Sequence, residues 1–354
     1  MECEFGCGET GCNVCNTSTC EQHIIPKYLP AICDDLATTD LTVSANLTLD
    51  TDDDASCTSV AAQPTGPEIC IVHHQSISIL ENQTLTVTGT RAIALVGDRG
   101  VDVRGILDAS ASTTLNGPGG GFKKSGSGGS LAGGGAGHHT RGGHGGSNTD
   151  GGATNGGLQE PSPASLAELF GGTQPTLTSP GKAPGGAGGA VALICCRCTA
   201  QVIGVVDVGG GGGRGGENPL GGGVAPPGGG GAGGTVVLQG LGVEVTGQIF
   251  ANGGGGGGGG LIVERGDPGE DGTRSATCAS GGLNNAGAVS GGAGGCATAD
   301  ARDGRAAVTN GPPAGAGGGS TGFLLTYTPQ GVAPLLNPLL VSPAFETNGT
   351  IATN

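Results

Sequence analysis

Ala190-Val191-Ala192-Leu193, then Ala200-Gln201-Val202-Ile203-Gly204, then Val205-Val206-Asp207-Val208, then the run Gly209–Gly213: the reading of this stretch decides the fold, because it recurs. Ala92-Ile93-Ala94-Leu95, Val101-Asp102-Val103-Arg104-Gly105 and Ile106-Leu107-Asp108-Ala109 form an earlier copy. Thr235-Val236-Val237-Leu238, Val243-Glu244-Val245-Thr246-Gly247 and Gln248-Ile249-Phe250-Ala251 form a later one. The landmark Leu and Gly stand 10, 11 and 9 residues apart in the three units. Weaker echoes lie at Leu41–Leu49, at Ile77–Gly89 and at Phe345–Ile351. The runs alternate with period two and favour Val, Ile and Thr, so they read as strands. The Gly after each alternating run suits a bend where a side chain would collide.

Each unit of ~20–25 residues is too small to bury its own apolar face, and stacking in register would bury a continuous row. The expected fold is therefore all-β: a β-solenoid, a parallel β-helix-like stack with long Gly-rich loops and a small Cys-rich N-terminal segment. A β-sandwich of the same strands is the alternative. Inserts at 117–189, 209–234 and 253–320 separate the units. They read either as flexible linkers or as polyglycine II rods packed side by side. Because they emerge after equivalent strand positions, the expectation is partly ordered Gly-rich loops bunched on one face. Leu166–Phe170 alone looks like a helical turn.

Composition narrows the function classes. Gly supplies 81 of 354 residues, Trp is absent and aromatics make up 2%. With 20 Pro and no strict period of three the chain is not collagen. A net charge of −15 argues against a nucleic-acid partner. Residues 1–75 hold 12 acidic residues, one Lys and 4 glycines, and the remainder is nearly balanced in charge and holds 77 glycines. This shift divides the chain into an acidic Cys-rich cap, 1–75, and a Gly-rich β-repeat domain, 76–354. The longest unbroken apolar run, Ala190–Cys196, is seven residues, far below the ~20 of a transmembrane helix.

Cys3, Cys7, Cys12, Cys15, Cys20 and Cys33 crowd the entry segment, where little else can hold structure. Disulfides are the main reading and imply an oxidising compartment. Zinc at Cys12-x-x-Cys15 with His23 is the other. Cys57 with Cys70, and Cys278 with Cys296, are natural pairs by spacing. Thirteen cysteines leave one over, and the cluster Cys195, Cys196 and Cys198 is the expected place for it.

Other candidate sites are few. Asp50, Asp52, Asp53 and Asp54 could wrap calcium, which takes six to eight oxygens, or form a solvated acidic turn. No other cofactor is expected. His138, His139 and His144 could hold a transition metal or be incidental in a loop. His73-His74 reads as a surface pair. Asp108 and Asp207 occupy equivalent repeat positions and could stack on one face, the minimum for glycoside hydrolysis. Phe250 breaks that series, and no run matches the phosphate-binding G-x-x-x-x-G-K-[ST].

The succession Ser76–Ile79, Leu85-Thr86-Val87-Thr88-Gly89, Ala92–Val96 and Val101–Ser110, followed by glycine runs, resembles glycine-rich secreted or outer-surface proteins and lipoproteins of myxobacteria. The resemblance covers roughly residues 70–260 and 320–354. It implies an extracellular or outer-surface location and carries no catalytic residue. No export signal is visible after Met1, so the expectation places one upstream or removes it. The expected function is a non-enzymatic structural protein presenting Gly-rich loops, with cell-surface glycan or matrix as the partner. An adhesin-like module for a glycan or receptor is one alternative, and a β-helical polysaccharide lyase or hydrolase is another.

Overall fold

The computed structural model describes residues 22–126, 132–147, 152–160, 167–176, 183–217, 225–260, 265–283, 289–307, 314–336, 341–346 and 349–354. Its strands are β1 (Leu41–Val43), β2 (Leu47–Asp50), β3 (Ser59–Ala61), β4 (Ile69–Ile79), β5 (Thr84–Thr88), β6 (Ala92–Val103), β7 (Ile106–Asp108), β8 (Ala190–Val202), β9 (Val205–Asp207), β10 (Thr235–Val245), β11 (Gln248–Phe250), β12 (Phe323–Thr328), β13 (Leu335–Leu336), β14 (Val341–Ser342) and β15 (Gly349–Thr350). Helix among the described residues is confined to 3-10 turns at Ile32–Asp34 and Asp54–Ser56.

The strands form two sheets. The nine-stranded sheet runs β1-β4-β6-β8-β10-β12-β15, with β3 beside β4 and β13 beside β10, and the six-stranded sheet runs β14-β11-β9-β7-β5-β2. Equivalent residues of the repeat pair in register: Leu95 with Leu193, and Leu193 with Leu238. The first two runs of each unit join into one long strand with a bulge between them. The register shifts between Gly97 and Val101 in β6 and between Gly240 and Gly242 in β10.

The burial pattern explains the sequence of the long strands. From Ala190 to Cys196 every residue is buried, whereas from Ala200 to Val202 alternate residues are. Val191, Leu193 and Cys195 enter the core between the sheets, with Leu107, Val206, Ile249 and Leu324. Ala190, Ala192, Ile194 and Cys196 enter a second core on the outer face, with Ile24, Cys33, Phe170, Phe323 and Ile351. A strand covered on both faces reads as a continuous apolar run, as in parallel sheets generally. Leu169 and Phe170 are buried in the second core, and the described residues 167–170 form no helical turn; Leu166 lies outside the described residues.

The architecture corrects the expected fold. Pairing is parallel at every strand pair except β3–β4, so this is not a β-sandwich of antiparallel sheets. It is not a β-solenoid either, where each repeat contacts only its neighbours. The insert 109–189 bonds directly to the insert 251–322, with Gly143 N–H donating to Gly318 O at 2.9 Å. The arrangement is that of a parallel α/β protein with extended glycine segments in place of the crossover helices. Parallel strands require long crossovers, and the three long ones here, 109–189, 208–234 and 251–322, all pass from the six-stranded sheet back to the nine-stranded one.

Those crossovers are a hydrogen-bonded lattice rather than loops. In the rod 253–260, Gly254, Gly257 and Gly260 face Gly211, Arg214 and Gly216. Gly255 and Gly258 face Ser280 and Leu283, while Gly253 and Gly256 face Gly319 and Ala316. The three-residue period is that of the left-handed extended helix with three residues per turn. At each of these positions the nearest atom is a backbone carbonyl oxygen that a Cβ would overlap, so all three faces demand Gly. None of these glycines has positive φ. The absence of a side chain, not backbone freedom, selects them. Gly255→Ala is therefore expected to cost about 2–3 kcal/mol, the scale of core overpacking. Arg214→Ala, on an exposed face, should change stability by less than about 0.5 kcal/mol. Equal melting temperatures for the two variants would refute the packing argument.

Candidate functional site

β7 and β9 place Asp108 opposite Asp207 in register, so the two carboxylates do stack. Arg274, from the third insert, lies across them. Its Nη2 donates to Asp108 Oδ2 and its Nε to Asp207 Oδ2, each at 2.6 Å. Asp207 also accepts from Gly209 N–H at 2.9 Å, and Asp108 accepts from Ser110 N–H at 3.1 Å. Burial pushes the Asp207 carboxyl above the usual carboxylate range, with Arg274 and the Gly209 N–H pulling back. A hydrolase needs a water or a glycosidic oxygen between its carboxylates; here a guanidinium takes that place. The trio is a clamp that ties the third insert to the six-stranded sheet. Arg274→Met should cost about 2–3 kcal/mol, less than the ~3–5 of a fully buried pair because Arg274 is half exposed. Denaturant unfolding beside Asp108→Asn, a milder change, would check it; an unchanged midpoint for Arg274→Met would sink the clamp.

The acidic run does not gather around a cation. Asp50 accepts from Asp52 N–H, and Asp53 caps the turn at Ala55 N–H, both at 3.0 Å. Asp52 accepts from Thr90 N–H at 2.9 Å and from the Thr90 hydroxyl at 2.7 Å. Asp54 pairs with Arg91 Nη1 at 2.6 Å, and Arg91 Nε reaches Glu68 at 2.9 Å. Desolvation opposes the Asp52 carboxylate, but the Thr90 hydrogen bonds and the Arg91 charge outweigh it and lower its pKa. The four carboxylates, read as either a calcium loop or an acidic turn, thus go to backbone donors, the Thr90 hydroxyl and one arginine.

The three histidines of the first insert also separate. His138 is buried, its ring between Phe170 and Phe323 with centroids 5.4 and 4.7 Å away. Its Nε2 lies 3.0 Å from Thr235 Oγ1, and its Nδ1 has no partner among the described residues. His139 lies 3.2 Å from Thr321 Oγ1 and pairs with Glu346 at 2.5 Å. His144 Nδ1 accepts from Gly156 N–H at 3.3 Å. The rings of His138 and His139 both pack on Phe323, while the hydrogen-bond partners of the three histidines are different residues, Thr235, Thr321 and Gly156. Among the described residues no group of three or more His, Cys, Asp or Glu side chains is placed to hold a metal ion.

The cysteines form disulfides Cys33–Cys196, Cys57–Cys70, Cys195–Cys198 and Cys278–Cys296. The second and fourth are the pairs that spacing predicts. The cluster expected to leave a thiol over is instead fully bridged, because successive residues of β8 face opposite cores: Cys196 meets Cys33 from the entry segment. Cys3, Cys7, Cys12, Cys15 and Cys20 lie outside the described residues.

Sequence reasoning missed a buried charge cluster at the bulge. His73, on β4, is buried rather than at the surface, and its Nε2 lies 3.0 Å from Asp98 Oδ1 on β6. Arg197 on β8 reaches the same oxygen at 3.4 Å and the Cys33 carbonyl at 2.7 Å. Ala37 N–H donates to Asp98 Oδ2 at 2.6 Å. Residue 75, the expected boundary, thus lies within β4, and residues from 33 onward are fastened to β6 and β8 by this cluster and by a disulfide. Asp98, directly after the apolar run Ala92–Gly97 of β6, was the available signal.

Grooves open on the lattice between described residues. One of about 710 Å³ is lined by Lys124, Arg141, Asn155, Leu158 and Glu160. Another, about 330 Å³, is lined by Thr113, Arg214, Gly215, Glu217, Arg265 and Pro268. No family model, curated protein or solved structure matches the chain. Among the described residues no helix is long and apolar enough to cross a membrane, and the disulfides fit an extracellular protein.

Proposed function

We propose that the protein is a non-enzymatic extracellular structural protein of the cell surface, in which a disulfide-fastened parallel-sheet core carries a rigid glycine lattice. The observation that supports it most is the rod 253–260, packed on three faces by backbone. Such packing makes a stiff body from residues that carry no chemistry, and the stacked carboxylates Asp108 and Asp207 serve as a clamp. The resemblance to myxobacterial outer-surface proteins agrees with this reading. The adhesin reading, with a glycan or matrix partner, draws on the larger groove, where Lys124, Arg141 and Glu160 line one opening.

Protease shaving of intact source cells, with mass spectrometry under non-reducing conditions, tests the location. Release of linked Cys57–Cys70 and Cys278–Cys296 peptides is the expected result. Absence of release, with free thiols throughout, would overturn it. Binding of the purified protein to immobilised polysaccharides, lost in Arg141→Ala, would favour the adhesin reading over the purely structural one.

A further inference from the structure

Among the described residues the lattice leaves one face of a rod partly uncovered, and the outline of that face says what would fit it. The rod 208–216 is flanked by other rods through contacts spaced three residues apart. Gly266, Gly269 and Gly272 N–H donate to Gly216, Gly213 and Gly210 carbonyls, at 3.0, 2.9 and 2.7 Å. Gly228, Gly231 and Gly234 N–H likewise donate to the Arg214, Gly211 and Val208 carbonyls.

One further face carries the N–H groups of Gly209, Gly212 and Gly215. The chain starts to cover it: Ala111 N–H donates to Gly209 O at 2.8 Å. After Thr113 the chain turns away, and the smaller groove begins there. On this face Gly209 N–H meets the Asp207 carboxylate at 2.9 Å, and Gly212 N–H meets the Asp271 carboxylate at 2.7 Å. Gly215 N–H, next in the series, has no partner among the described residues. Pro268 stands one three-residue turn before Asp271 and brings no side-chain acceptor. Arg214 is exposed at the same groove and makes no ion pair among the described residues, while Arg265 pairs with Glu217 at 2.9 Å.

We propose that this groove docks an acidic Gly-x-x segment of a partner chain in the polyglycine II conformation, its backbone continuing the rod that ends at Thr113 and a carboxylate bridging Gly215 N–H and Arg214. The occupant's chemistry is shown by the lattice itself. Gly266-Asp267-Pro268-Gly269-Glu270-Asp271-Gly272, with Gly at every third position and carboxylates between, already packs on the neighbouring face of the same rod. The groove, about 330 Å³, offers room for about one three-residue turn of such a chain.

The inference concerns the purified molecule, so it stands or falls apart from the cell-surface location. A fluorescein-labelled peptide of three Gly-Asp-Pro-Gly-Glu-Asp repeats, titrated against the full chain and read by anisotropy, tests it. Saturable binding is expected, weakened at least tenfold by Arg214→Ala at unchanged melting temperature. The same peptide with Ala at every third position should not bind, and the Asn/Gln peptide should bind more weakly. Equal binding of the Ala-substituted peptide, indifference to Arg214→Ala, or no binding at millimolar peptide would each overturn the proposal.

Discussion

Replacing both Cys33 and Cys196 by Ser is expected to lower the free energy of unfolding by about 5 kcal/mol, the largest loss from any single cross-link in the described chain. The bridge closes a sequence separation of 163 residues, against 18, 13 and 3 for the other three. Constraint of the unfolded chain grows with the logarithm of loop length, so the Cys195–Cys198 bridge should contribute only about 1.5–2 kcal/mol by the same relation. The bridge also has a native-state role. It holds the entry segment over the second core, where Ile24 and Cys33 are buried against the sheet. Guanidinium unfolding of the two double-Ser variants would compare them directly. A smaller loss for Cys33/Cys196 than for Cys195/Cys198 would show that the entry segment is held by packing alone.

The second large effect is a loss of stability in acid through His138. Burial lowers its pKa from 6.5 to about 3, with the charges of His139 and Lys123 acting in the same direction. The native state therefore keeps this ring neutral where the unfolded chain takes up a proton. The sign follows: its contribution is complete above about pH 6.5 and is lost progressively as pH falls toward about 3, an interval worth roughly 5 kcal/mol in all. The geometry supplies the cause. The ring is enclosed by Phe170 and Phe323, and among the described residues its Nδ1 has no acceptor to receive a new N–H. The His138 backbone N–H bonds Ser320 at 2.7 Å, so loosening here separates the first insert from the approach to β12. Unfolding free energies at pH 7.5, 5.5 and 4 should fall steeply for the natural chain and less steeply for His138→Gln. Parallel slopes would refute the assignment.

Much of the strand content was legible from residues 76–354, because period-two alternation and β-branched residues are local signals. The equivalence of Asp108 and Asp207 followed from their place after the repeat glycine. Cys57–Cys70 and Cys278–Cys296 followed from short spacing across turn-rich chain. What spacing could not reach was any partner from another insert. Arg274, which neutralises the carboxylate pair, lies 67 residues beyond Asp207 in sequence. His73 and Asp98 met only because two strands bulge at the same level. The cysteine triplet misled for a similar reason: Cys195 and Cys196 are adjacent in sequence and face opposite cores.

The glycine inserts mark the division between the two kinds of information. A run such as Gly253–Gly260 has the same sequence whether it is a mobile linker or a packed rod, since Gly is permissive toward both. The amino-acid sequence decided that these segments could approach backbone to backbone, that strands would alternate with them, and that cysteines would staple what burial could not. The tertiary structure decided that they do approach. Rods from three crossovers must lie side by side before any one of them has partners for its N–H groups, and a buried amide without a partner is costly. That cooperation is a property of the assembled lattice, and it turned the expected solenoid with loops into two parallel sheets joined by a third, glycine-built layer.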